Sequence, residues 1–276
     1  PPPKAQRIAS TGGDEAARRT YAMAAQGLKR VSLELGGKSP NIVFDDADMD
    51  QAVHGALGGI FSATGQTCVA GSRLLLQDSI HDAFVERIVK ITQGAKIGNP
   101  ADPETRIGPI TTRPQFDKVV SYIEIARNEG ARVAAGGRAR SGEGYGCGQF
   151  VEPTIFVDVK NEMRIAQEEV FGPVLAVIRF KDEEDAVRIA NDIRFGLAAG
   201  VWTRSLHRAM YMTDKLRAGT VWVNNYRSSS YTTPFGGFKD SGIGREGGIE
   251  GAREFMEAKS VWISTDLQMA NPFGKK

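Results

Sequence analysis

With 276 residues, of which 41% are hydrophobic and 25% charged, the chain can bury one large or two ordinary α/β cores, which excludes a disordered segment. Its 35 basic and 33 acidic side chains are interspersed and leave a net charge of +2, so no electrostatic footprint for nucleic acid is expected. No run approaches the ~18 apolar residues of a membrane span, no charged-then-apolar leader opens the chain, and two cysteines suit a reducing, cytoplasmic setting.

In chain order, Thr11-Gly12-Gly13 predicts a turn into a helix over 14–25, and short strands are expected at 31–35 and 41–44. Between 48 and 64 apolar residues recur at helical spacing (Val53, Leu57, Ile60, Phe61), with Asp48 as N-cap, so a helix delivers Cys68 just past its end. A strand at 73–76 and helices over 80–93 and 114–128 follow, Pro114 suiting a first helical turn. The six glycines of 136–148 predict a surface loop, and strands are expected at 154–157 and 174–180. A helix at 183–192, a strand at 198–202, a helix at 206–216 and a strand at 220–223 come next. A helix near 249–257, a strand at 261–264 and a mobile tail over 269–276 close the chain. This alternation argues for an α/β fold with a largely parallel sheet flanked by helices.

The chemistry concentrates in two small-residue stretches. Cys68 lies in Gly65-Gln-Thr-Cys-Val-Ala-Gly71, and Glu34 in Leu33-Glu-Leu-Gly-Gly-Lys-Ser-Pro-Asn41. A free thiol with a pKa near 8.5 is only a few per cent thiolate at neutral pH, so a nucleophilic cysteine needs a proton acceptor, and Glu34 can serve. The alternative is an inert buried thiol. A disulfide between Cys68 and Cys147 would disable the nucleophile, and His54, His81 and His207 lack the short spacing of metal ligands, so no metal is expected. Gly242-Ile-Gly-Arg-Glu-Gly247 satisfies a dinucleotide-binding pattern but follows polar residues rather than a strand, and Gly37-Lys38-Ser39 lacks the first glycine of a phosphate loop.

Both stretches resemble the two active-site signatures of the NAD(P)-dependent aldehyde dehydrogenases. The resemblance continues through Glu168-Glu-Val-Phe-Gly-Pro-Val174 and Pro234-Phe-Gly-Gly-Phe-Lys-Asp-Ser-Gly-Ile-Gly-Arg-Glu246, and runs from about residue 28 to about 264. It implies that Cys68 attacks an aldehyde to give a thiohemiacetal, that its backbone N–H helps to hold the oxyanion, and that Glu34 activates the water that opens the later thioester. It further implies NAD or NADP as cofactor, a small aldehyde substrate and a homo-oligomer, without membrane or nucleic-acid partners. Glu169 and Phe171 would position the nicotinamide riboside, unless they form only a helix-to-strand corner, with Leu35 and Gly36 also in the cofactor set. Gly12 and Gly13 resemble the turn that presents N–H groups to the pyrophosphate, or else simply cap a helix.

Thr67, Val69, Tyr226, Arg227 and Phe235 fall where the family lines its substrate tunnel. Asn224 is there either as a site residue or as a strand-end cap. Arg227 suggests a carboxylate on the aldehyde, or is a solvent-facing arginine.

The chain opens at Pro1-Pro-Pro3, and nothing in it matches the family's adenosine-binding lysine and acid or its oxyanion asparagine. The expectation is therefore a C-terminal portion: a cofactor-domain remnant at 1–36, a catalytic domain at 37–236, and a return segment at 237–276 with an oligomerisation strand. Two other readings stay open, a non-catalytic assembly module and a cofactor-independent thiol esterase.

Overall fold

The computed structural model describes residues 4–142, 144–266 and 269–274. Strand β1 (Arg7–Thr11) runs parallel to β2 (Arg30–Glu34), with helix α1 (Asp14–Ala25) as the crossover that parallel strands require. The alternation continues through β3 (Pro40–Val43), α2 (Met49–Phe61), β4 (Arg73–Gln77) and α3 (His81–Gln93). Asp48 caps α2 by accepting the Gln51 N–H at 3.2 Å. Thr112 caps α4 (Arg113–Asn128) in the same way through Gln115, and Pro114 sits in its first turn, where a missing N–H costs nothing.

The glycine-rich stretch is not the expected open loop. After β5 (Arg132–Ala135), a strand absent from the sequence reading, β6 (Ala139–Gly142) and β7 (Gly146–Val151) pair as an antiparallel hairpin. Gly142 and Gly146 at its turn have φ of 97° and 56°, so the glycines allow a tight reversal rather than preventing structure.

Then follow β8 (Thr154–Val157), α5 (Arg164–Gln167), β9 (Val174–Phe180), α6 (Glu183–Asn191) and β10 (Phe195–Gly196). The chain continues with β11 (Ala198–Trp202), α7 (Leu206–Lys215), β12 (Thr220–Val223), β13 (Phe238–Lys239), β14 (Gly242–Ile243) and α8 (Gly248–Arg253). The last helix ends earlier than expected. Residues 261–264 form no strand with the rest of the described chain, and Val261, Trp262 and Ile263 stand exposed. Their apolar, strand-forming character is left unpaired within the described chain. In the tail, 269–274 are exposed, and Lys275 and Lys276 lie outside the described residues, as does the Cys147 side chain.

The main sheet has seven strands in the order β12-β11-β3-β4-β9-β8-β5, parallel throughout except for the β5–β8 pair at one edge. Both faces are covered, so its central strands are apolar without interruption: Leu74, Leu75 and Leu76 are all 0% exposed. Leu75 joins Ile178, Val201 and the α4 to α7 side, whereas Leu74 and Leu76 join Val177, Ile60 and Ile88 on the α2 and α3 side. Each such leucine contributes about 1.5–3 kcal/mol by burial. A smaller sheet, β1-β2-β14, stands apart. In it β14 runs antiparallel to β2, so the end of the chain returns to its beginning.

Candidate active site

The site lies where the two sheets meet. Gly37, Cys68 and Gly172 each precede a strand of the main sheet, at its amino ends, whereas Thr11 and Glu34 close β1 and β2 at the carboxyl ends of the small sheet. Ser241 joins them. Its hydroxyl donates to the Gly36 carbonyl at 2.7 Å and accepts the Gly196 N–H at 2.9 Å, while its carbonyl accepts the Leu35 N–H at 2.9 Å. It is wholly buried, and no local pattern marks it, because its partners lie 45 and 205 residues away.

The loop before Cys68 is held in a strained path. Ala63, Thr64 and Gly65 adopt φ of 53°, 56° and 69°, and a side chain at Gly65 would come within 2.1 Å of the Gly172 carbonyl oxygen. Left-handed conformations at non-glycine residues cost of order 1 kcal/mol each and persist only where their surroundings fix them. Here the Thr64 hydroxyl accepts the Gly108 N–H at 3.1 Å, and the Gln66 side-chain carbonyl accepts both the N–H and the hydroxyl of Thr111 at 2.9 Å. None of these tethers carries a local sequence signal.

Cys68 is half-buried against Val69, Leu197, Trp222, Tyr226 and Phe235. Burial pushes its thiol above the ordinary value, the charges of Glu169 and Glu34 push the same way, and the backbone N–H groups of Val69 and Cys68 oppose them. The thiol is therefore protonated at neutral pH. Glu34 is 5% exposed, and neither of its carboxylate oxygens has a hydrogen-bond partner among the described residues. Burial, aided by the charge of Glu246 and opposed by Arg245, pushes its pKa up to about 7.

The charge of Glu34 acts on the Cys68 thiol, and close approaches mark the surroundings of each. A side chain at Gly37 would lie 2.4 Å from the Cys68 carbonyl oxygen, and one at Gly236, next to Phe235, would lie 2.9 Å from Glu34 Oε1. Only glycine permits these approaches.

The two neighbouring glutamates have parted roles. Glu168 pairs with Arg164 through two bonds of 2.9 Å and with the Tyr122 hydroxyl, whereas Glu169 accepts the Gly37 N–H through Oε1 at 2.9 Å. A side chain at Gly36 would come within 2.5 Å of Glu169 Oε2. Burial raises the Glu169 pKa, against the lowering effect of the Gly37 bond and of Lys118 and Lys38. Beside it opens a cleft of about 460 Å³ lined by Asp14, Gly36, Lys118, Glu169 and Arg194. An acceptor carboxylate at the wall of a cleft this size fits the two hydroxyls of a ribose. Phe171 follows with φ of 56°, its carbonyl held by Gln115 Nε2 at 2.9 Å; Gln115 is another tether without a sequence signal.

The remaining sequence candidates separate. Tyr226 donates its hydroxyl to the Val69 carbonyl at 3.0 Å, and Arg227 reaches the Thr67 hydroxyl at 3.3 Å, so both belong to the walls around Cys68. Asn224 instead exchanges two bonds with the Thr203 backbone, at 3.0 and 2.8 Å, which is the strand-end role. Gly12 donates its N–H to the Glu34 carbonyl at 3.0 Å, which takes that N–H from any phosphate, and Gly13 is the N-cap position of α1. Gly242, Gly244 and Gly247, with φ of 148°, 85° and 67°, turn the chain so that β14 can lie on β2.

A family model described as the aldehyde dehydrogenase family matches residues 2–261. The chain is 46% identical over 267 residues to a betaine aldehyde dehydrogenase of Mesorhizobium japonicum, covering 97% of this chain and 55% of that protein. A betaine aldehyde dehydrogenase of Brucella anthropi is 46% identical over 257 residues, with 93% and 53% covered. Among solved structures, a betaine aldehyde dehydrogenase from Staphylococcus aureus in complex with NAD+ superposes with a TM-score of 0.95 at 41% identity, over 98% of this chain and 54% of that one. An aldehyde dehydrogenase from Bacillus cereus, a point mutant, gives 0.90 at 43%, over 94% and 52%. The chain spans about half the length of the curated relatives it matches.

Proposed function

The chain belongs to the aldehyde dehydrogenase family, and on that premise we propose that it forms the thiol-bearing half of an enzyme that oxidises an aldehyde to a carboxylic acid with NAD(P)+. The observation that carries this reading is a buried carboxylate with both oxygens unpartnered, beside a half-buried thiol whose ionisation is disfavoured. A residue kept so poorly satisfied destabilises the fold, and such groups cluster at reaction sites.

Cys68 Sγ gives its proton to Glu34 and attacks the carbonyl carbon, forming a thiohemiacetal. The backbone N–H groups of Cys68 and Val69 reach the thiol, and that of Cys68 would donate to the oxygen that becomes negative. The nicotinamide, when bound, supplies the acceptor for the hydride lost from that carbon. Glu34, after releasing the thiol proton to solvent, removes a proton from the water that opens the thioester and so returns Cys68 as the leaving group, a task suited to a base whose pKa is about 7. Glu169, steadied by the Gly37 N–H, would hold the ribose hydroxyls, and Phe171 with Leu35 and Gly36 would border the ring.

Residues 1–36 are read as the end of a cofactor domain, in keeping with the separate small sheet, and 237–276 as its return. The exposed Val261, Trp262 and Ile263 favour a strand added to a second copy, hence a homo-oligomer. No helix among the described residues is long and apolar enough to cross a membrane, and a thiol that must stay reduced favours the cytoplasm.

Calorimetric titration of NAD+ against the chain and against Glu169→Gln, with NADH fluorescence across an aldehyde panel, tests the reading. Weaker binding to the variant, by about fivefold or more, supports it. Equal binding to both, or NADH formation that survives Cys68→Ala, would overturn it.

A further inference from the structure

We propose that Arg227 sets the substrate class of this site: an aldehyde that carries a carboxylate, held by the guanidinium while Cys68 attacks the carbonyl carbon. This rests on the reading of Cys68 as the nucleophile. Arg227 is half-buried, and its two terminal nitrogens donate to the Ser62 carbonyl and to the hydroxyl of Thr67, the residue before Cys68, both at 3.3 Å. These are long bonds to neutral acceptors, which a charged carboxylate can replace with shorter, charge-assisted ones.

No carboxylate among the described residues lies within ion-pair distance of Arg227. Arg208, equally half-buried elsewhere in the fold, is by contrast neutralised by Asp46 and Glu183, both at 2.8 Å. The planar fork of Arg227 thus keeps unused donors and an unbalanced charge at the Thr67 hydroxyl, one residue from Cys68. Its place is fixed, not incidental. Arg227 is held at φ of 68°, a conformation a long side chain adopts only when its neighbours impose it. Those neighbours are Tyr226, hydroxyl-bonded to the Val69 carbonyl at 3.0 Å, and Trp222, which bonds the Ser228 carbonyl at 2.8 Å and packs on the Tyr226 ring. The same aromatic residues share one apolar cluster with Cys68, which would flank the carbon chain between the two ends of the substrate.

Alkylation of Cys68 by iodoacetate, an anion, and by iodoacetamide, its neutral counterpart, reads this directly in the chain without cofactor. Rates are followed at the Cys68 peptide by mass spectrometry. The iodoacetate-to-iodoacetamide rate ratio should fall about fivefold to tenfold in Arg227→Gln, stay near wild type in Arg227→Lys, and shrink in wild type at high salt. An unchanged ratio, or equal loss with both reagents, would overturn the proposal and leave Arg227 a mere latch on the loop. Failure of both reagents to reach wild-type Cys68 would instead remove the nucleophile, and the dehydrogenase reading with it.

Discussion

Arg73 and Glu34 are both buried charges, yet the fold treats them in opposite ways. Arg73, at 0% exposure, gives hydrogen bonds to the carbonyls of Lys38, Ile189 and Ala190 at 2.8–3.0 Å and to Asn161 at 3.3 Å. Burial draws its pKa down only to about 10, so it remains a cation that ties β4 to the chain before β3 and to the end of α6. Glu34, at 5% exposure, is given no partner at all. A buried charge with every nitrogen partnered is scaffold. One left wanting a proton is chemistry.

If that contrast holds, Arg73→Met should produce the largest loss of stability, about 3–5 kcal/mol in urea unfolding, because it orphans three buried carbonyls. Glu34→Gln should do the reverse. The folded Glu34 carboxyl has its pKa raised from 4.5 to about 7, so between those values the folded state holds a proton that the unfolded state has lost. Stability therefore falls as pH rises through that window and stays low above it. Removing the charge should add up to about 3 kcal/mol at pH 8 and almost nothing at pH 4, read as thermal midpoints at the two pH values. A destabilised Glu34→Gln at pH 8 would place Glu34 with Arg73 as scaffold.

Smaller effects sharpen the same division between the strained nucleophile loop and the helix before it. Gly65→Ala, at φ of 69° and 2.1 Å from the Gly172 carbonyl, should cost about 2–4 kcal/mol and change the rate of Cys68 alkylation. Gly58→Ala, inside α2 with nothing within 4 Å, should instead stabilise by about 0.5–1 kcal/mol and leave the thiol rate untouched. Asn224→Ala should cost about 1 kcal/mol through the Thr203 bonds, also without an effect on the thiol.

What could be read from the sequence follows from range. The alternation of strand and helix, the Asp48 cap, Pro114 and the family motifs are local signals, and they placed the main sheet and the stretches around Cys68 and Glu34. The clamp of Ser241 and the tethers of Gln66 and Gln115 join residues far apart in the chain, where no local pattern exists. The 139–151 hairpin was hidden because its glycines read as loop when they in fact serve a turn. The 261–264 stretch is the converse case, since its strand-forming residues stand exposed and pair with none of the described strands.

The convergence of Glu34 on Cys68 is tested most directly by acetylating the thiol with p-nitrophenyl acetate and timing loss of the acetyl group by intact mass across pH. Release should accelerate as pH rises through about 7, where Glu34 becomes a base, and should slow about a hundredfold or more in Glu34→Gln with no inflection there. Release from Cys68 at the same rate in both proteins would contradict a shared site.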